Sequence, residues 1–308
     1  MRALFVVNPK ATTTSERSRD VLVRALRSEV DLTVAYTRRR GHATTLAVQA
    51  AADGADLVVT LGGDGTVNEA VNGLMAAGAK AGERPAFAVV PGGSTNVFAR
   101  AIGMPRDWAE SAGVILEAIR ERRTRTISLG RAGERYFTFC AGLGLDAEVV
   151  RRVERARLRG KTSTPWLYLK STVGQYLLET DRRHPPIRLE REGEPPETGL
   201  ATVIVQNTAP WTYLGDRPVN PCPDACFDTG LDLMAMRALH VPSTTRTVRQ
   251  ILARTPQPHG KRVLALHDLD SFALYADRPM AFQLDGDYLG EQDTIEFLSV
   301  PEALRIVC

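Results

Sequence analysis

The stretch from Asp56 to Met75, DLVVTLGGDGTVNEAVNGLM, constrains the fold more than any other part of the chain. Leu57, Val58, Val59 and Leu61 form a short apolar run, which suits a strand covered on both faces. Gly62, Gly63 and Gly65 come next, and without a Cβ they let main chain come close to another group. Thr66 and Glu69 have the spacing of a capping box, which predicts a helix starting at Thr66. Val67, Ala70, Val71, Leu74 and Met75 recur at helical spacing and make one apolar face. A strand, a glycine turn and a helix N-terminus aim N–H groups at one spot, which favours an anion and above all a phosphate. Asp64 stands inside that turn. An acid beside a phosphate is repulsive unless a cation lies between them, so a divalent metal is implied. Asp-Gly is also a hairpin signal. Residues 66–75 argue against a hairpin, because they carry a helical period and not the alternation of a second strand.

The N-terminal part repeats this pattern. Ala3 to Val7 reads as a strand broken at Asn8-Pro9-Lys10. Ligands of open α/β sheets bind beyond the carboxyl ends of the strands, so Asn8 and Lys10 could face the same site, although a plain turn explains Asn8-Pro9 equally well. Val21 to Leu26 is a helix pattern, Leu32 to Tyr36 a strand followed by Thr37-Arg38, and Gly41 to Ala52 an alanine-rich helix. Pro85 to Val90 is the next strand. It runs into Pro91-Gly92-Gly93-Ser94-Thr95-Asn96 and a helix over Val97 to Ile102. Alternating strands and helices imply a parallel, doubly wound sheet.

After the helical segment Asp107 to Arg122 the pattern changes to short strands. They are expected at Ala132–Gly142, Ile187–Glu190, Leu200–Asn207, Leu231–Ala235, Phe272–Ala276, Met280–Leu284 and Thr294–Phe297. This predicts an antiparallel β-sandwich over 131–308 after an α/β domain over 1–130.

GGDGTVNEA and PGGSTNVFAR together resemble the signatures of the diacylglycerol kinase catalytic family, which includes bacterial lipid kinases, sphingosine kinases and ceramide kinases. NAD kinases and phosphofructokinases resemble it only in the GGDG core, and NAD kinases have a different glycine motif where PGGSTN stands. The resemblance implies an NAD kinase/phosphofructokinase-like fold for the first domain, with Leu304 to Cys308 returning to it as in some relatives. It also implies that ATP contacts Asn8, Pro9, Lys10, Thr37, Gly62, Gly63, Asp64, Gly65, Thr66, Asn68, Glu69, Gly92, Gly93, Ser94, Thr95 and Asn96, with Thr12 to Thr14 standing where relatives have a small polar pair. Ala225 to Asp232 resembles an acidic-glycine segment that binds magnesium. Asp228 corresponds to the acid linked through water and Mg2+ to the GGDG aspartate, Asp64. Cys226, Thr229 and Leu231 correspond to positions that bind metal in part through backbone oxygens. A metal that prefers oxygen would take Cys226 only through its carbonyl. Leu284-Asp285-Gly286-Asp287 resembles Asp-Gly-Glu, whose glutamate is the family's general base. Asp287 stands in that place, one methylene shorter, and a tight turn is the competing reading. Ala141 to Ala147 resembles Gly-x-Gly-x-Asp-Ala, with Asp146 either holding a charge partner or serving as an N-cap.

Composition narrows the classes. The chain has 308 residues, 44% hydrophobic and 24% charged, with net charge +3, which fits an ordinary globular protein and gives no case for nucleic acid as partner. The sequence has neither G-x-x-x-x-G-K-[ST] nor G-x-G-x-x-G after the first strand, so a P-loop or Rossmann site is not expected. MRALFVVNPK reads as a strand and not as a signal peptide, and four scattered cysteines suggest free thiols in the cytoplasm. Arg151, Arg152, Arg155, Arg157, Arg159 and Lys161 precede the aromatic stretch Trp166 to Leu178. Such a segment fits either a peripheral contact with the inner membrane face or a solvated basic helix beside a core helix. Trp211 and Tyr213 could line an apolar pocket or fill core.

The expectation is an ATP- and Mg2+-dependent kinase acting on a neutral, diacylglycerol-like lipid held in the sandwich. Asp287 would be the base, Asp64 and Asp228 would serve the metal, and a homodimer is compatible with the sequence. The alternatives are an NAD kinase-like enzyme, or a lipid- or nucleotide-binding relative with a weakened base.

Overall fold

The computed structural model describes every residue except 12–14, 79–81, 159–183 and 238, with backbone alone at 156–158. In order, the elements are β1 (Arg2–Val7), α1 (Glu16–Arg27), β2 (Asp31–Tyr36), α2 (His42–Ala52), β3 (Leu57–Gly62), α3 (Asp64–Ala76), β4 (Ala86–Pro91), α4 (Val97–Ala101), α5 (Trp108–Glu121) and β5 (Arg125–Ala132). Next come β6 (Arg135–Phe137), β7 (Cys140–Gly144), α6 (Leu145–Leu158), β8 (Ile187–Glu190), β9 (Glu197–Leu200), β10 (Thr202–Gln206), β11 (Thr212–Leu214) and β12 (Arg217–Val219). The last are β13 (Leu231–Met236), α7 (Val241–Ile251), β14 (Val263–Leu269), β15 (Ser271–Leu284) and β16 (Asp287–Ile306). The chain divides into two compact units, Met1–Leu129 with Pro301–Cys308, and Gly130–Val300.

The first unit is an α/β domain with a parallel sheet in the order β2-β1-β3-β4. Beyond β4, Ile306 at the end of β16 pairs in parallel with Phe87. All six residues of β3 are buried, as are five of six in β1, because helices cover the sheet and every side chain in these strands leaves water. Each of Leu57 and Leu61, fully buried, contributes roughly 1.5–3 kcal/mol by that transfer.

The alanines of α2 have a packing purpose. Ala43, Ala47 and Ala50 are buried, and a Cβ on Gly73 of α3 would lie 2.8 Å from the Ala47 methyl. Small residues on both helices therefore bring α2 and α3 into close contact. The Thr44 hydroxyl adds a hydrogen bond to the Glu69 carbonyl at 2.9 Å. This contact sets the direction of the helix that leaves the glycine turn.

The second unit is antiparallel, with strand order β14-β13-β10-β7-β15. Two strands expected separately, Phe272–Ala276 and Met280–Leu284, form one strand, β15. Its pairing with β16 slips between Tyr275 and Met280, and such an irregularity bends a ribbon. The first half of β15 pairs with β8, which also pairs with β9, and the second half pairs with β7. The sheet thus folds over one core. Phe272 stacks on Phe297 at 4.9 Å, and Phe137 and Phe282 meet Phe297 edge-on. Aromatic rings therefore make up much of this interior. A second cluster, with Ile204, Met234, Met236 and Ile251, packs between β10, β13 and α7, and Trp211 lies against it as core filler.

Candidate phosphate-binding site

Because the four strands of the first sheet are parallel, their carboxyl ends share one edge. Asn8 comes directly after β1, Thr37 after β2, Gly63 after β3 and Gly92 after β4. The chain passes from β2 over β1 to β3, so the switch point lies between β1 and β3. The Asn8 amide spans it. Its Nδ2 donates to Thr66 Oγ1 at 3.0 Å, and its Oδ1 accepts from the Lys10 N–H at 3.0 Å. The Asn8 N–H donates to the Leu61 carbonyl and the Thr37 N–H to the Val7 carbonyl, both at 2.9 Å.

The two glycine turns meet main chain to main chain. The Gly92 N–H donates to the Gly62 carbonyl at 2.8 Å. A Cβ on Gly93 would lie 2.7 Å from Gly63 Cα, and one on Gly92 would lie 2.9 Å from the Gly62 nitrogen. The sequence reading assigned these glycines to the approach of a ligand. The structure adds that they first let the turns approach each other, since backbone cannot yield to a methyl as a flexible side chain can. Asn96 closes the second turn. It adopts φ 50°, its Oδ1 accepts from the Gly93 N–H and its Nδ2 donates to the Gly93 carbonyl, both at 2.8 Å. That bidentate clasp takes the place of a serine N-cap, and Ser94 and Thr95 are carried on the loop it closes.

The helix α3 starts at Asp64, two residues before Thr66, and its N-cap is Gly63. The expected capping box is absent because both of its members are engaged elsewhere. Thr66 Oγ1 takes the Asn8 amide. The Glu69 carboxylate accepts the Gly41 N–H at 2.7 Å and the Ala43 N–H at 3.1 Å, which caps α2 instead. A carboxylate at a helix N-terminus is stabilising, so Glu69 supports the turn from behind. Asn68 is fully buried, and its Oδ1 and carbonyl accept from Asn72 Nδ2. Both residues were expected to touch nucleotide, and in the structure their bonds hold helices. Asp64 is only partly buried, and its Oδ1 accepts from the Phe98 N–H at 3.1 Å. A carboxylate has about four lone-pair sites, so an acid in this turn is chemically suited to a cation.

In the second unit, Asp285 (φ 48°) and Gly286 (φ 81°) form the two-residue turn between β15 and β16. Both central residues at positive φ is the type I′ hairpin geometry. The buried Asp285 carboxylate accepts four hydrogen bonds. Its Oδ2 takes Thr138 N–H (2.7 Å) and Oγ1 (2.8 Å), and its Oδ1 takes the N–H groups of Phe139 (3.0 Å) and Cys140 (3.1 Å). Asp287 opens β16, with its carboxylate 26% exposed and 3.7 Å from Arg135 Nη2.

Asp146 does not cap α6, which begins one residue earlier, and its partner is an amide and not a charge. Gln283 Nε2 donates to its Oδ2 at 2.7 Å. Burial raises its pKa to about 6, partly offset by that bond. A folded-state pKa above the unfolded value means that stability is lost as pH rises from about 4 through about 6.

The proposed metal segment fits less well. The Cys226 carbonyl accepts the Thr229 hydroxyl at 3.2 Å and its N–H at 3.4 Å, so the turn closes on the oxygen assigned to a cation. Leu231 lies inside β13, paired with Leu269. Asp228 is exposed. No group of three or more His, Cys, Asp or Glu suited to a metal occurs among the described residues. Magnesium usually keeps its waters and binds through one or two carboxylates plus substrate phosphates, so Asp64 fits that requirement and Cys226 does not. Gln206 and Asn207, at the end of β10, are fully buried and bonded to Thr208, Cys222 and Thr138. Sequence reasoning missed the pair formed by His267 Nδ1 and the buried Asp232 (2.8 Å), since only strand alternation hints at it. The hydrogen bond to Asp232 raises the His267 pKa.

Residues 2–132 match the model of the diacylglycerol kinase catalytic domain. A diacylglycerol kinase of Bacillus subtilis is 29% identical over 256 residues, covering 81% of this chain and 77% of that protein. A diacylglycerol kinase of Staphylococcus haemolyticus is 34% identical over 125 residues, covering 41% of this chain and only 36% of its own length. Among solved structures, a diacylglycerol kinase from Bacillus anthracis superposes with a TM-score of 0.74 at 21% identity, over 99% of this chain and 96% of that one. An NAD kinase from Archaeoglobus fulgidus in complex with ATP gives 0.53 at 11% identity, over 100% and 94%. These structural likenesses establish the shared fold.

Proposed function

We propose that the chain is an ATP-dependent lipid kinase that transfers the γ-phosphoryl group to the hydroxyl of diacylglycerol or a similar neutral lipid. The observation that carries this reading is the pair of glycine turns, packed main chain on main chain beside the switch point, within the residues that match a kinase catalytic domain. The first turn of α3 leaves N–H groups without intrahelical acceptors, and these suit phosphate oxygens. Asn8, Lys10, Thr37, Ser94 and Thr95 lie at the carboxyl edge of the same sheet and are assigned to the nucleotide. When bound, magnesium at Asp64 and Asp228 would neutralise charge on the phosphate oxygens.

The Asp287 carboxylate accepts the proton of the lipid hydroxyl as that oxygen bonds to the γ-phosphorus. The bond from the γ-phosphorus to the bridging oxygen breaks, and ADP leaves with its electron pair.

Contact with an anionic membrane face is part of the proposal, and its support lies at α7. Between Asp232 and Asp268 the sequence has no Asp or Glu and six Lys or Arg: Arg237, Arg246, Arg249, Arg254, Lys261 and Arg262. The helix α7 exposes Val241 and Val248 beside Arg246 and Arg249, which line a groove of about 590 Å³ with Pro242 and Thr245. Arg151, which the sequence left open between a membrane contact and a solvated helix, pairs with Glu148 and Glu291. Arg157, Arg159, Lys161 and the aromatic stretch from Trp166 to Leu178 lie outside the residues whose side chains are described. No described helix is long and apolar enough to cross a membrane.

An assay with radiolabelled ATP against dioctanoylglycerol, ceramide and NAD tests the reading. Label in the diacylglycerol product supports it, and label in NAD alone would establish the NAD kinase-like alternative.

A further inference from the structure

We infer that Gln283 and Asp146 are positioning residues that hold the Asp285-Gly286 turn, and with it the Asp287 carboxylate; the inference rests on Asp287 being the base. Gln283 is buried in β15 at 1% exposure. Its Nε2 donates to Asp146 Oδ2 at 2.7 Å, while its Oε1 accepts the Gly286 N–H at 2.9 Å. Gly286 directly precedes Asp287. The side chain is therefore a rod between a buried acid on α6 and the main chain next to the proposed base.

The acid sets which way round the rod sits. A glutamine amide has a donor end and an acceptor end of nearly equal size, so packing alone does not choose between them. An ionised carboxylate only accepts. It draws Nε2 toward Asp146 and leaves Oε1 for the Gly286 N–H. Once protonated, Asp146 can donate, and the constraint is gone. A reversed amide would then set its NH₂ against the Gly286 N–H and release the turn on that side.

The room for this arrangement is built in. A Cβ on Gly142 of β7 would overlap the Asp146 carboxylate, so glycine makes the space the acid occupies. β10 has no titratable side chain, and β7 has Cys140, 3.6 Å from Gln283 Nε2. α6 has Glu148, paired with Arg151, and then Arg152, Glu154 and Arg155, and Tyr288 of β16 lies opposite Gln283. On β15, Tyr275, Asp277 and Arg278 lie in the half distant from Gln283. The turn thus has two tethers of different character. Asp285 is fixed by four donors, whereas Asp146 is poised near pH 6.

The test uses the full chain, with dioctanoylglycerol and ATP as substrates, and two readouts. The first is the backbone amide resonance of Gly286 monitored against pH. The second is kcat against pH for wild type and Asp146→Asn. The amide should titrate with a midpoint of about 6 in wild type and stay still in Asp146→Asn. Asp146→Asn should lower kcat roughly 10-fold at neutral pH and lose the acid limb near pH 6. It should leave KM for ATP unchanged and melt no lower than wild type, because a buried charge has been removed. Gln283→Ala should reproduce the kcat loss, and the double variant should lose no more than Gln283→Ala alone. A Gly286 amide insensitive to pH would overturn the inference, and so would wild-type kcat and pH profile in Asp146→Asn. Those results beside an inactive Asp287→Asn would leave the base reading standing. Full kcat in Asp287→Asn would instead overturn the base reading, and the catalytic role of the tether with it.

Discussion

Two Asp-Gly dipeptides, 64–65 in the first unit and 285–286 in the second, have opposite local structures. Asp64 begins a helix; its carboxylate is partly exposed and accepts from the Phe98 N–H. Asp285 sits at positive φ in a hairpin and is buried under four hydrogen bonds. The difference comes from the residues downstream of each copy. Val67, Ala70, Val71 and Leu74 favour helix, while Ile295, Phe297 and their neighbours on β16 return as a strand against β15. A partly exposed carboxylate beside bare backbone suits ligand chemistry. A carboxylate saturated by donors is a fastener, and the proposal places the chemistry on Asp287, just past the hairpin turn.

Substitutions at four positions would break or sharpen this contrast. Asp64→Asn should leave the melting temperature near wild type and lower kcat by roughly 10³-fold or more, measured with saturating ATP and magnesium. Turnover close to wild type would remove Asp64 from the metal role. Asp287→Asn should lower kcat by about 10²-fold, and Asp287→Glu should keep or raise it, since the family's glutamate reaches one methylene further. Asp285→Ala should act on stability first. It strands three N–H groups and a hydroxyl in the interior and should cost about 3–4 kcal/mol in urea denaturation. Were that variant as stable as wild type but inactive, the assignment of fastener and catalyst would be reversed. The smallest effect is expected at Glu69→Gln, which weakens the cap of α2 by roughly 1 kcal/mol and should barely alter kcat.

The sequence revealed most where one period ran long enough to be unambiguous. Leu57 to Met75 gave strand, turn and helix, and the return of residues 304–306 to the first sheet was legible from the resemblance. It misplaced the start of α3 because Thr66 and Glu69 have capping-box spacing, and only the fold brings Asn8 and Gly41 within reach of them. It missed α7 and β14, in which arginines and histidines interrupt the apolar pattern. It divided β15 at Asp277-Arg278-Pro279, where a bulge and not a turn is present. Within the site, the residue types were legible from the glycines and acids. The contact between the two turns was not, because it joins backbone atoms about 30 residues apart.

The central claim is that the paired glycine turns of the first unit hold the triphosphate. Titrating ATP into the labelled chain and monitoring its backbone amides tests it most directly. The account predicts saturable shifts at Gly63, Gly65 and Thr66 and at Gly93 to Thr95, strengthened by magnesium and lost in Asp64→Asn. Saturable ATP binding that leaves those amides unmoved would contradict it.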